Sequence, residues 1–308
     1  MPADVSKKPL VCSVGDLVTD VVVHLDSDPQ RGTDTPVRVH RVRGGSAANV
    51  CAGAVAAGGR GRFVGQVGDD HEGEVLAASL EEHGVDTRLA VHGTTGTIVV
   101  LVDTSGERSF LTDRGTAVHF SHVAPDVLDD VDVLHVPLYS LLTGALAEST
   151  HQLIGEALDR SIPVTISTSS VSALREFGRK EFLSLVKNVE PSLVFANLPE
   201  AKYALQGHPW FVGAGATVVS AGSRAARFTK PDGSDHRREP GPVDALDTTG
   251  AGDAFTAGFL VAWCRGGTPQ DWLDAGHRLA GSSLSRPGAA LSPATDDKGS
   301  SDKGAAKT

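Results

Sequence analysis

The chain has 308 residues, 40% of them apolar, and a formal net charge of −10 at pH 7. That length allows one large α/β domain or two smaller ones with a sizeable core, and the acidic balance argues against nucleic acid as a main partner, since that needs a basic face. The three cysteines (Cys12, Cys51, Cys264) lack Cys-x-x-Cys spacing, no apolar run reaches the ~18 residues of a membrane helix and no signal-peptide core opens the chain, so a cytoplasmic protein handling small molecules is expected, with no zinc site, disulfide framework or membrane partner.

Leu10–Val14 reads as a first buried strand ending at Gly15, and Thr19–His24 as a second. Residues 26–36 form a loop. Val37–Arg43 alternates apolar with basic residues, a half-exposed strand broken by Gly44-Gly45. A small-residue helix follows over Ala47–Ala57 and stops at Gly58-Gly59. Arg62–Gly68 is a strand leading to Asp69-Asp70, and Glu72–His83 an amphipathic helix. Thr97–Val102 and Arg108–Thr112 flank the turn Asp103-Thr104-Ser105-Gly106, the signature of a hairpin. Strands at Val131–Val136, Val164–Ser167, Leu193–Ala196 and Thr217–Ser220 then alternate with helices near 143–159, 172–187, 199–206 and 251–265. That alternation implies right-handed βαβ units and a parallel sheet. The early extended segments do not fit inside it and predict a small β subdomain lying across it. The polar tail after Pro293 is expected to be disordered.

Residues 244–260 carry the most chemistry. The glycine-rich turn Gly250-Ala251-Gly252 runs into an apolar helix, with Asp253 at the junction. Glycines let backbone N–H groups turn toward an anion, and a helix N-terminus carries roughly half a positive charge. The turn suits a phosphoryl group in transfer, and the acid suits removal of a hydroxyl proton beside it. The stretch also reads as an ordinary capped helix, with Thr248 or Thr249 as cap and Asp253 complementing the dipole. It matches neither the Gly-x-x-x-x-Gly-Lys-Ser/Thr loop nor the dinucleotide Gly-x-Gly-x-x-Gly. Two further clusters add weight. Gly44-Gly45-Ser46-Ala47-Ala48-Asn49 opens the first helix with groups able to bind neutral hydroxyls, although a glycine break before a helix is common. Asp16 and Asp20 lie just past the first strand, where α/β proteins place ligands, although any single loop aspartate is more often a surface charge.

These residues carry a family resemblance. The chain resembles the ribokinase-like (PfkB-type) carbohydrate and nucleoside kinases in two signatures. The first is Gly44-Gly45-x-x-x-Asn49 continuing through Val64-Gly65-x-Val67-Gly68-x-Asp70-x-x-Gly73; the second is Asp247-Thr248-Thr249-Gly250-Ala251-Gly252-Asp253-Ala254-Phe255. The resemblance implies one three-layer α/β kinase domain over residues 10–292, with a mainly parallel sheet and a small β lid from about 18–43 and 96–113. It implies ATP and Mg²⁺, with a monovalent cation such as K⁺ in several members, and a homodimer formed through the lid.

The resemblance also implies roles. Asp253 stands as the base, and Gly250, Ala251 and Gly252 as the anion hole. Asp20, Gly44, Gly45 and Asn49 match positions that grip substrate hydroxyls, with Asp16 as a further candidate. Ser46 occupies a position that varies with substrate. Asn197 and Glu200 match the Asn-x-x-Glu motif that organises magnesium and phosphates. Ser220, Gly222 and Arg224 match the strand end by the nucleotide, with adenine expected near 276–288, Gly276 included. Asp247, Thr249, Ser283, Arg286, Gly288 and Ser292 match the monovalent-cation region. Ala225 replaces the usual second glycine of the nucleotide motif, and Ser167-Thr168-Ser169 stands where many relatives carry Asp. Tyr139 stands where ribose kinases carry Glu, which weakens ribose as the acceptor. Arg114, just past the hairpin, could equally reach a phosphate or hold the lid through a carboxylate. The expected reaction is transfer from ATP to a primary hydroxyl of a sugar, with a nucleoside as the rival acceptor; a non-catalytic sugar- or nucleotide-binding protein of the same fold is the further alternative, against which the intact Asp253 and turn argue. A base needs an aromatic or apolar wall, for which Phe110, Phe120 and Tyr139 are the nearest candidates. His135, in an apolar strand, reads as core.

Overall fold

The computed structural model describes Asp4 and residues 6–243 and 249–284. In chain order its first half runs β1 (Leu10–Val14), β2 (Val18–Leu25), β3 (Val37–Gly44), α1 (Ser46–Ala56), β4 (Arg60–Val67), α2 (His71–Glu82), β5 (Asp86–Val91), β6 (Thr95–Val102) and β7 (Arg108–Gly115). The second half runs β8 (Val133–Pro137), α3 (Gly144–Asp159), β9 (Val164–Ser167), α4 (Val171–Phe177), α5 (Arg179–Val189), β10 (Leu193–Asn197), α6 (Leu198–Leu205), β11 (Ala216–Ala221), β12 (Arg224–Thr229), β13 (Asp235–Arg238), α7 (Ala251–Arg265) and α8 (Pro269–Leu284).

Among the described residues a nine-stranded sheet has the order β13-β12-β11-β10-β9-β8-β1-β4-β5. It is parallel from β5 to β11; β12 and β13 close the far edge antiparallel. The central strands are apolar on both faces because both are covered. One face packs α3 to α6 over Leu134, Val136, Ile166 and Val194. The other packs α1, α7 and α8 over Val11, Phe195, Val218 and Phe228, with α2 beside α1. Phe259 of α7 sits at the centre of this second core, with ring centroids of Phe195, Trp272, Phe228 and Phe255 at 5.3, 5.9, 6.2 and 6.3 Å.

The second sheet is the lid, of order β3-β2-β6-β7. It is mixed, because β2 and β6 run parallel between two antiparallel pairs. Asp70 ties it to the body. Its carboxylate caps α2 through the Gly73 N–H at 2.8 Å and accepts from the Thr95 N–H and hydroxyl at 2.7 and 2.6 Å, at the start of β6. A Cβ on Gly73 would fall onto the Gly68 carbonyl. The Gly68-x-Asp70-x-x-Gly73 signature is therefore where the lid is tied to the body.

Several elements differ from expectation. The lid spans 18–44 and 95–115, slightly beyond the expected bounds. β5, β12 and β13 had not been read as strands. β5 and β13 are the two edge strands, whose charged residues hide the alternation that marks a strand, and β12, paired between β11 and β13, opens Arg-Ala-Ala-Arg, which carries no such alternation. The expected helix at 172–187 is two, α4 and α5, broken at Gly178, whose φ is +93°. α8 was not foreseen, because its apolar face is diluted by Gly276 and Gly281. No described helix is long and apolar enough to cross a membrane. The expected tail after Pro293 lies outside the described residues.

Phe259→Ala should cost about 3–5 kcal/mol of stability, because four aromatic neighbours cannot collapse into the space it leaves. Urea unfolding of the variant against the parent measures it.

Candidate active site

The parallel strands end on one side of the sheet, where open α/β sheets bind ligands. There a cleft of about 670 Å³ lies between the sheet and the lid. The body contributes Asp16 after β1, Asn197 at the end of β10, Ser220 near the end of β11, and the starts of α1 and α7. The lid contributes Ile98, Arg108, Phe110 and Thr112 from one face of β6 and β7.

Two helix N-termini converge on Asp253. Gly45, at φ +101°, is the N-cap of α1 and lies so close to the chain that a Cβ would fall onto the Asp16 carbonyl. Gly250, at φ +71°, is the N-cap of α7. These conformations suit glycine and let the chain enter each helix abruptly. Ser46 and Asn49 share one face of α1 by the three-residue helical spacing. Their side chains donate to the Asp253 carboxylate, Ser46 Oγ to Oδ1 at 2.7 Å and Asn49 Nδ2 to Oδ2 at 3.2 Å. The first N–H groups of a helix have no acceptor within it, so the start of α7 offers donors to an anion. Nothing lies within 4 Å of where a Cβ on Gly252 would sit, which leaves approach open there.

The electrostatics are those of carboxylates held out of water. Burial pushes Asp253 up to about 6, against the opposing hydrogen bonds of Ser46 and Asn49. Asp20, 8% exposed on β2, is raised to about 7 by burial and then by the charge of Asp253. Its Oδ1 is buried without a hydrogen-bond partner, as are Asn49 Oδ1 and Ser169 Oγ. A buried acceptor lacking a donor costs about 1–3 kcal/mol, so hydroxyl donors of a polyol would fit this floor. Burial also raises Glu200, opposed by hydrogen bonds from Thr168 and Asn197. Glu200 is fixed by a reciprocal cap at the start of α6: the Asn197 N–H and amide donate to it at 2.8 and 2.6 Å, and Thr168 Oγ1 donates at 2.5 Å.

Of the residues expected from sequence, Asp16, Asp20, Gly45, Ser46, Asn49, Arg114, Tyr139, Asn197, Glu200, Ser220, Thr249, Gly250, Gly252 and Asp253 line this one cleft. Gly44 backs it, because a Cβ there would overlap the Asp20 carboxylate. Arg114 and Asp16 form a bidentate ion pair at 2.7 and 2.8 Å, and Arg114 also donates to the Tyr139 carbonyl at 3.0 Å. Of its two expected roles, the structure displays the carboxylate one: Arg114 fastens β7 to the body and occupies Asp16.

Other residues fall outside the lining. Ala251 is half-buried at the first position of α7, and Gly222 and Arg224 form the exposed turn beyond β11. Gly276 lets α8 pack against the Phe255 ring. Ser283 is buried on α8 and donates to the Ala280 carbonyl at 2.8 Å. Asp247, Arg286, Gly288 and Ser292 lie outside the described residues. Phe120, considered as a wall for a base, is 1% exposed in the core and does not reach the cleft. His135 is core as expected: burial lowers it to about 3, and its Nδ1 lies 2.9 Å from Thr165 Oγ1. Sequence reasoning had passed over Arg108, Thr112, Ser170, Ser172 and Glu176, which also line the cleft. A run of serines just past the C-terminal end of β9 was the available signal.

A doubly covered parallel sheet, a β lid and a carboxylate set between two helix N-termini define a small-molecule kinase of the ribokinase-like fold. The chain belongs to the pfkB family of carbohydrate kinases, whose profile matches residues 8–296. It is 30% identical over 295 residues to an ATP-dependent ribose-1-phosphate kinase of Halopiger xanaduensis, covering 93% of this chain and 95% of the relative. It is 27% identical over 281 residues to ribokinase of Bacillus subtilis, covering 89% and 92%. The fold superposes on adenosine kinase from Sinorhizobium meliloti with a TM-score of 0.83 at 22% identity, covering 92% of this chain and 95% of that one.

Asp20→Asn tests the electrostatics of the site. Because the folded state holds this proton more tightly than the unfolded state, ionised Asp20 costs stability as pH rises from about 4 to 7. The variant should melt roughly 2 °C or more higher than the parent at pH 8, and the gain should vanish below pH about 4. Thermal denaturation across that range measures it.

Proposed function

We propose that this carbohydrate kinase transfers the γ-phosphoryl group of ATP to a primary hydroxyl of a sugar, with Asp253 as the base. The observation that carries this reading is the Asp253 carboxylate at the mouth of α7, buried enough to be raised to about 6 yet held by two donors from α1. A base titrating near 6 is mostly ionised at neutral pH and still basic enough to take a proton in the transition state. The Gly250–Gly252 turn and the first N–H groups of α7 receive the charge that develops on the phosphoryl oxygens. The orphaned acceptors of Asp20 and Asn49 take the sugar's other hydroxyls and orient the reacting one. Closure of the lid over the cleft excludes water, which would otherwise accept the phosphoryl group.

We assign Glu200, Asn197 and Ser220, which line the cleft, to its nucleotide side. A fixed carboxylate among amide and hydroxyl groups fits the oxygen chemistry of a hydrated Mg²⁺, directly or through water. Bound with the nucleotide, Mg²⁺ would neutralise charge on the phosphates. We read the protein as cytoplasmic, a location in keeping with ATP as the donor.

A nucleoside acceptor is a second reading with its own support, because Phe110 and Tyr139 both line the cleft and Ile98 stands beside them. These could flank a base. The lid face opposite the cleft carries Val39 and Leu111, 51% and 59% exposed, with Val37, Val99 and Leu101 on the same face by strand alternation. We read it as the contact of a homodimer.

Asp253→Asn should retain fold and nucleotide affinity and lose about 10²- to 10⁴-fold in turnover. Near-parental turnover would remove Asp253 from the base role. A panel of pentoses, hexoses, their phosphates and nucleosides, with ADP release as readout, should show a sugar as the preferred acceptor. Preference for a nucleoside would select the second reading. Light scattering should give twice the chain mass, falling toward the monomer in Val39→Lys.

A further inference from the structure

Ser46 resembles a substrate contact by position, yet in the structure its hydroxyl is spent on another residue. It donates to Asp253 Oδ1 at 2.7 Å, shorter than the Asn49 contact to Oδ2 at 3.2 Å. Ser46 is the first residue of α1, and its backbone is set by the tight approach of Gly45 to the Asp16 carbonyl. The hydroxyl is therefore delivered to Asp253 by a segment with little freedom. We propose that Ser46 is a positioning residue for the base: its hydroxyl holds the Asp253 carboxylate aimed into the cleft, ready for the acceptor's proton. The inference rests on the reading of Asp253 as the base and adds a role for Ser46 beyond substrate contact.

The groups around Asp253 show why such a donor is needed. Asp20 on β2 and Glu200 on α6 are acids whose charges are felt in this cluster, and Tyr139, after β8, also faces it. Asp16 adds a fourth carboxylate, but Arg114 of β7 pairs with it. Arg108 of β7 also lines the cleft. Burial, and after it the charge of Glu200, favours the protonated, inactive form of Asp253; Ser46 and Asn49 oppose it as neutral donors. Hydrogen bonds to a charged acceptor are about twice as strong as neutral ones, so losing the shorter one should be visible in the ionisation. As the acceptor hydroxyl approaches, it can share Oδ1 with Ser46, since a carboxylate oxygen accepts more than one hydrogen bond. The proton then passes from the acceptor oxygen to Asp253 as that oxygen bonds to the γ-phosphorus and the bond to the ADP oxygen breaks.

The test is the pH dependence of kcat/KM for the preferred acceptor, with saturating MgATP, in the parent, Ser46→Ala, Ser46→Thr and Asp253→Asn. In Ser46→Ala the acid limb should move upward by about half a pH unit or more, so the loss of activity is greater at pH 6 than at pH 9. Ser46→Thr, which keeps the hydroxyl, should return the limb toward the parental position. An unmoved limb in Ser46→Ala, or a rise in acceptor KM at every pH with kcat unchanged, would overturn the inference and make Ser46 a substrate contact alone. Asp253→Asn keeps the two failures apart. Its near-parental turnover would overturn the base itself, whereas its loss of turnover with an unmoved Ser46→Ala limb would overturn only the role of Ser46. Circular dichroism of each variant shows whether α1 remains folded.

Discussion

The carboxylate of Asp253, gripped from α1 by Ser46 and Asn49 while standing on the first turn of α7, is the contact on which the molecule's chemistry depends. It joins residues 204 and 207 positions apart in the chain, so it exists only when the sheet, the two helices and their packing are all in place. The two helices deliver matched resources. Each N-terminus brings unsatisfied N–H groups and positive dipole, and each begins at a glycine in a conformation other residues rarely adopt. The rest of the fold can be read as support for this meeting. Phe259, two turns along α7, anchors that helix in the aromatic core, and the tie at Asp70 sets where the cover begins.

The cost of the arrangement is carried by its acids. Asp20, Asp253 and Glu200 are all pushed toward protonation by burial, and Asp20 retains an acceptor with no donor. A chain selected only for stability would not keep such groups together. Active sites retain this kind of strain because the same perturbation tunes a base and leaves acceptors waiting for a ligand. Arg114 offsets part of it by pairing with Asp16, and that pair also fastens the lid strand to the body. Electrostatic relief and lid placement are thus the same contact.

Much of this was legible in sequence, for physical reasons. Gly250-Ala251-Gly252-Asp253 combines a turn only glycine makes readily with an acid where an anion belongs, and that local conflict survives without any tertiary knowledge. The buried parallel strands announced themselves as apolar runs. What stayed hidden depends on partners far along the chain. Nothing in the order Gly45-Ser46 says that the hydroxyl turns to Asp253 and not to a substrate, or that Arg114 finds Asp16 98 positions away. Edge strands β5 and β13 were hidden by their charged residues, β12 by its Arg-Ala-Ala-Arg opening, and α8 because glycine dilutes its apolar stripe. Phe110 and Phe120 looked alike as candidate walls; only packing sends one into the cleft and the other into the core.

The most direct test of the central claim is a crystal structure with a non-hydrolysable ATP analogue and the preferred acceptor bound together. The acceptor's primary hydroxyl should lie about 3 Å from the Asp253 carboxylate, in line with the γ-phosphorus, and the γ-phosphate against the first turn of α7. A hydroxyl held away from Asp253, or a γ-phosphate bound elsewhere than the Gly250–Gly252 turn, would contradict it.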